Sequence, residues 1–469
     1  MSAWTPSSGL RNVPKALVLP LIGDSARLFH DGPRLARERF GKLGPVWQTW
    51  VLGQKTIVVG RADMIKWCLN REHDLLEANW PTSTKVLLGR HGVSVVEGAR
   101  HLQLRKILRP AFTVAAVNDL VPRMAAIAHR CCDKWAAEGR GKGQTLAKDY
   151  TFSIALMMIL GFDKTLLTTE TIQSCIDAFR LWNEGLFSFP INLPGTAFHK
   201  ALEGKKVLMD YLGQNLRLLR EKKRMGEGAS EKGEQVSCAE GLLDVQDDEG
   251  HGLSEEELKD VFLTLLFAGH DTSASATMRL FSELPRHPHV WKKLIAEQQQ
   301  VAAEHGPAID GAAVKAMTYM DAVVKEILRL HPIVGATFRR ALHDFDLFGY
   351  HVPKGRSILL NLGYAMESDK RWAGEAGEHA PRSFCPERWL DESGQKTGGW
   401  VPFGGGPRMC LGYLLATAEL KVLLAVLARG YEWRPLDINE EFSFFPVGGV
   451  PVNGLPMEFD KLSELRTEK

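Results

Sequence analysis

No proline interrupts the chain between Ser254 and Pro285, and the middle of that stretch, VFLTLLFAGHDTSASATM, is apolar nearly all round. Ser254 and Glu257 stand at capping-box spacing, and acidic residues fill the first turn. The pattern predicts a helix of roughly 30 residues, about 45 Å at 1.5 Å per residue. A helix without a polar face has to cross an interior, so the rest of the chain must supply apolar surface to enclose it. It can: 45% of the 469 residues are apolar, including 12 Trp and 21 Phe. A disordered or fibrous chain is thereby excluded.

The remaining pattern is mostly helical. Long segments from about Ala62 to Pro285 carry helical periodicity, with the polar stretch from Gly226 to Gly241 as a surface loop. Val46–Leu52 and Lys55–Val59 meet at Gly53-Gln54 as a hairpin. A helix from about Ala316 to His331 is stopped by Pro332. Strands are expected over Phe338–Leu342, Asp346–Val352 and Ser357–Leu362, with Pro353-Lys354-Gly355 as a turn, and a last long helix from near Leu411 to just before Gly430. We read the fold class as mainly α with a minor β region. Residues 1–469 form a single large domain, the first 25 or so an extended segment.

Charge and cysteine usage narrow the function classes. Lys and Arg number 58 against 56 Asp and Glu, a formal charge of +2, so no global field argues for nucleic acid. Seven cysteines without a CxxC pair or zinc spacing favour a reducing compartment. The stretch from Tyr150 to Phe162 is too short to span a bilayer, and the N-terminus lacks a signal-peptide core. The expectation is a soluble, cytoplasmic protein, with peripheral membrane association or an N-terminal anchor missing from this sequence as alternatives.

One cysteine has an unusual setting: Phe403-Gly404-Gly405-Gly406-Pro407-Arg408-Met409-Cys410-Leu411-Gly412. Three glycines and a proline form a bend that brings backbone close to whatever Cys410 binds. An apolar helix follows, whose first N–H groups and dipole stabilise an anion, and Arg408 adds a cation. All favour a thiolate. Taken alone, a lone cysteine reads as a buried apolar residue; a phosphate loop lacks its GxxxxGK[ST] pattern here.

FxxGxRxCxG, as Phe403, Gly406, Arg408, Cys410 and Gly412, resembles the haem loop of cytochrome P-450 monooxygenases. Glu326-Ile327-Leu328-Arg329 resembles that family's ExxR helix, Pro386-Glu387-Arg388-Trp389 its PERF segment with Trp for Phe, and Ala268-Gly269-His270-Asp271-Thr272 its oxygen-activation stretch. The four occur in the family's order over nearly the whole chain.

The resemblance implies the P-450 fold and haem b (iron protoporphyrin IX) with Cys410 as axial thiolate, which favours O–O cleavage. Phe403 would cover the proximal side, with Gly404 beside it. Ala268 and Thr272 share a helix face; Thr272 would hold a proton network around O2 and Asp271 would relay protons. A Thr272 hydroxyl bonded to the i−4 carbonyl, eased by Gly269, would bend the helix; a buried helix with an exposed AGHD turn is the plainer reading. His270 is a flanking residue. Glu326, Arg329 and Arg388 form a supporting network. His101 and Arg105 fit an HxxxR helix for the propionates, with Arg339 and Arg408 as further candidates and Arg340 as an alternative register. Arg100, Lys106 and Arg109 form either an electron-carrier face or a plain solvated one.

Asn79 to Gly89 and Leu186 to Gly195 resemble segments of the retinoic-acid hydroxylase branch and its cyanobacterial relatives. They imply a pocket roof with Trp80, Leu88, Phe187 and Phe189, to which Phe267, Val334, Thr337 and Val447 are added. The implied activity is O2-dependent hydroxylation of a small lipophilic substrate, a retinoid or other terpenoid, sterol or fatty acid. Electrons would come ultimately from NAD(P)H through a separate ferredoxin- or flavoprotein-type donor, with the enzyme a monomer. The alternatives are a haem-thiolate isomerase or lyase acting on an oxidised lipid, and a non-catalytic haem or lipid carrier.

Overall fold

The structure is a computed structural model and describes residues 10–20, 22–162, 168–225, 237–243, 245–246, 250, 252–373, 381–390, 399–443 and 449–462. Its contacts divide the chain into two compact units, each assembled from separate stretches. One draws on Met1–Trp80, Lys325–Cys410 and Phe442–Val450, the other on Pro81–Val324, Leu411–Glu441 and Pro451–Lys469.

The first unit is built on a five-stranded sheet in the order Val46–Val51, Gln54–Val59, Ser357–Leu360, Thr337–Ala341, Leu76–Ala78. Only Gln54–Val59 with Ser357–Leu360 is parallel. The expected hairpin forms, turning through Leu52 and Gly53, both at positive φ (49° and 74°), which matches strand twist. Both faces are covered, and the side chains alternate. Ile57, Val59, Ile358 and Leu360 pack with Ile65, Cys68 and Leu69 of helix Ala62–Leu69. Trp47, Val58 and Leu359 pack with Ala36 and Phe40 of helix Ser25–Leu43. That first helix begins where the extended N-terminus expected from sequence ends. The strand expected over Asp346–Val352 is instead two, Phe345–Leu347 and Tyr350–Val352, because Phe348 and Gly349 take positive φ and reverse the chain.

The second unit is helical apart from a three-stranded antiparallel sheet of Arg140–Lys142, Pro456–Lys461 and Tyr431–Pro435. Helix Glu255–Glu283 runs as predicted, with the Ser254–Glu257 capping box formed in both directions. Gly269 answers a packing need: a Cβ there would stand 2.4 Å from Ile159 Cδ1, on the π turn Ala155–Ile159. The last long helix is Tyr413–Gly430. Among the described residues, no single helix is long and apolar enough to cross a membrane.

Glu326 is the most demanding group in the first unit, since its side chain is wholly buried. Its Oε1 accepts from Arg329 Nη2 (2.8 Å), Arg388 Nε (2.9 Å) and Cys385 N (2.9 Å). Its Oε2 accepts from Arg329 Nε (2.7 Å) and Trp389 Nε1 (3.0 Å). Arg329 also donates to the carbonyls of Pro381 and Ser383, and Arg388 to that of Trp372. Removing the carboxylate strands two buried guanidiniums, so Glu326→Ala is predicted to cost about 3–5 kcal/mol. Urea unfolding checks this; a loss below 1 kcal/mol would show the arginines compensated elsewhere.

Candidate functional site

The cysteine loop is shaped by its glycines. Gly404 and Gly406 adopt φ of +72° and +63°. A Cβ on Gly406 would stand 2.0 Å from the Leu69 carbonyl oxygen, so only glycine fits there. The loop closes on itself where Cys410 N donates to Phe403 O at 2.9 Å. The Phe403 ring lies edge-on to Trp400, 5.9 Å between centroids. Cys410 is exposed, whereas four of the other six cysteines are buried and two half-buried. Burial pushes the Cys68, Cys175 and Cys238 thiols up to about 12, so they are inert.

Arg408 and Arg339 meet on one carboxylate that sequence reasoning did not single out. Glu72 Oε1 lies 2.5 Å from Arg408 Nε, and Glu72 Oε2 lies 2.6 Å from Arg339 Nε. Arg339 Nη1 also donates to Thr337 Oγ1 and Phe338 O, each at 2.8 Å. Burial lowers the Arg339 pKa and Glu72 opposes that shift. Arg340, the alternative register, points outward and pairs with Glu77. Trp80 is half-buried and Val334 exposed. Val447 lies outside the described residues.

In the second unit, Thr272 Oγ1 donates to the Ala268 carbonyl, as the spacing required. The helix is continuous through this turn. Ala268 is exposed and Phe267, Gly269 and Thr272 are half-buried, although the residues before and after them are buried. A helix that is otherwise buried thus has one turn left open.

Asp271 is buried and its Oδ2 accepts from Asn183 Nδ2 at 2.5 Å; desolvation pushes its pKa up, against Lys148 and Asn183. His270 Nδ1 is 2.8 Å from Thr151 Oγ1. Burial holds this imidazole down at about 3, so it is neutral and its 3.7 Å approach to Asp271 is no ion pair. His270 is a packed flanking residue, seated edge-on to Phe152 and Phe179. Beyond the turn, Ser273 Oγ donates to Glu419 Oε2 at 2.8 Å.

The cytochrome P450 family model matches residues 13–450. The chain belongs to the cytochrome P450 family. As a cytochrome P450 it is a haem-containing monooxygenase, an oxidoreductase that hydroxylates lipophilic substrates. It is 30% identical over 440 residues to mouse Cytochrome P450 26C1, covering 88% of this chain and 82% of that one. It is 28% identical over 461 residues to the Taxane 13-alpha-hydroxylase of Taxus cuspidata (96% and 92%). The structure of retinoic acid bound cyanobacterial CYP120A1 superposes with a TM-score of 0.85 at 28% identity, over 97% of this chain and all of that one.

Of the other residues read from sequence for this P450, His101 is buried and Arg105 half-buried on helix Gly98–Leu108, one turn apart. Arg100 is engaged with Glu257 of the long helix, and Lys106 and Arg109 are exposed. The two roof segments do meet: Ser83 Oγ and Thr84 Oγ1 donate to Leu186 O at 2.8 and 2.5 Å, and Trp182 Nε1 to Leu87 O at 3.1 Å. Leu88 is fully buried, Phe187 half-buried, and Phe267 edge-on to Trp182 at 5.7 Å. Phe189 is 80% exposed, a surface position. Asn183, Glu72 and Glu419 were missed; only Glu419, a lone acid in an apolar helix, carried a signal in the sequence.

Burial pushes Glu419 up to about 8. Its folded pKa lies above its unfolded one, so stability falls as pH rises from about 4.5 to about 8 and then levels. The slope is at most about 1.4 kcal/mol per pH unit. Glu419→Gln removes this component. Between pH 5 and 8 the variant is predicted to lose less urea resistance than the wild type; equal losses would mean Glu419 ionises in the fold.

Proposed function

We propose that Cys410 is the thiolate ligand of haem iron, on the single observation that its glycine-shaped loop presents this cysteine exposed while the chain covers the others. The loop also fits a flat group, since a Cβ on Gly412 would meet nothing closer than Phe112 at 4.0 Å. Haem so bound supplies the one-electron chemistry with which O2 is activated. Phe403 and Gly404 line the loop, and Arg339, Arg408, His101 and Arg105 are the cations for the propionates. Glu326, Arg329 and Arg388 keep a structural role.

Thr272 holds a hydroxyl at the bare turn, fixed by the Ala268 carbonyl. Burial raises the pKa of Asp271 next to it, which suits a carboxyl to pass protons. Electrons come from NAD(P)H through a separate ferredoxin- or flavoprotein-type carrier. The substrate is an apolar terpenoid of retinoid or diterpenoid type, supported by the apolar roof residues and by what the taxane hydroxylase and the retinoic acid complex are named for.

The reduced carbon monoxide spectrum of the wild type is expected to show the thiolate Soret band and Cys410→Ser to lose it; a wild type without that band would overturn the assignment. Thr272→Ala is expected to keep the band while diverting most reductant to peroxide. Normal coupling in that variant would remove Thr272 from proton handling. Spectral titration with retinoids, diterpenoids, sterols and fatty acids tests the substrate class, and a response confined to fatty acids would refute it.

A further inference from the structure

The segment Leu69–Glu72 touches the cysteine loop twice. Its Leu69 carbonyl packs against Gly406, and Glu72 pairs with Arg408, two residues before Cys410. Through its other oxygen Glu72 also holds Arg339, which arrives on strand Thr337–Ala341. The carboxylate is wholly buried and both guanidiniums nearly so. Each oxygen serves one arginine, so a single anion fixes two cations that would otherwise repel each other at close range.

We infer that Glu72 is a positioning residue of the haem site: it aims Arg408 and Arg339 and sets the net charge that the cysteine loop carries beside the prosthetic group. The inference rests on the haem-thiolate reading above. Its physical content is electrostatic as well as steric. Neutralising Glu72 adds one positive charge to a buried cluster, whatever else surrounds it, and added positive charge favours the reduced, less positive iron. A residue that only packed would leave the iron's electron affinity alone.

The test uses the haem-loaded protein. Wild type is first assayed for the reduced carbon monoxide band, whose absence would sink the haem-thiolate reading whatever Glu72 does. With the band present, Glu72→Gln is compared by spectroelectrochemical titration. The expected result is an intact thiolate band and a ferrous-to-ferric ratio raised roughly tenfold at fixed ambient potential, about 59 mV for a one-electron couple. Glu72→Asp, which keeps the charge, should stay within about twofold of wild type. Should Glu72→Gln fold poorly, Glu72→Asp still decides, because it keeps the charge while shortening the side chain. A folded Glu72→Gln with a wild-type potential, or a Glu72→Asp displaced tenfold, would overturn the inference.

Discussion

A glutamate carboxylate taken wholly out of water must be neutralised, paired or protonated, and this chain uses all of its architecture to arrange that for Glu326. Five N–H groups converge on its two oxygens, two from Arg329 and one each from Arg388, Trp389 and the Cys385 amide. Arg329 and Arg388 then donate onward to the carbonyls of Pro381, Ser383 and Trp372. The Pro386–Trp389 turn is thereby locked to helix Thr318–Leu330, and the Trp389, Trp400 and Phe403 rings carry the contact to the start of the cysteine loop. Replacing the ion network by apolar residues could be as stable, but it could not aim the segment through so many directional bonds.

Two other buried glutamates show the alternatives. Glu72 meets two guanidiniums, one on each oxygen, in a compact cluster. Glu419 has only a serine hydroxyl on one oxygen, and its other oxygen has no partner among the described residues. Without a cation it keeps its proton instead, which is what its raised pKa records. The same residue type is thus an anchor, a charge-setter and a neutral hydrogen-bonding group, and the environment alone decides which.

The pattern that could be read from sequence is local. The capping box, the proline-free helix, the Gly53 hairpin and the glycine-arginine-cysteine loop are each written within ten to thirty neighbouring residues, and each stands in the structure. What escaped depends on distance along the chain. Glu72 and Arg408 are 336 positions apart, and Asn183 and Asp271 are 88 apart, with nothing near either acid in sequence to announce its partner. The split of Asp346–Val352 escaped for another reason: Phe348 adopts positive φ, a conformation its bulk disfavours, so only Gly349 hinted at the turn.

The roof segments show why substrate identity is less legible than chemistry. Helix Thr82–Leu88 is fastened by bonds whose acceptors are backbone carbonyls, those of Leu186, Leu87 and Val86, reached by Ser83, Thr84, Trp182 and Lys205. The fastening fixes where the segments lie but asks nothing of the side chains of Val86 or Phe189, which are exposed. Those positions can change shape and polarity without loosening the frame. The cysteine loop has no such freedom, because Gly406 is demanded by backbone contact at Leu69 and Gly404 by its positive φ. A motif demanded by the backbone is therefore written in the sequence, whereas side chains that the fold leaves free to vary are not.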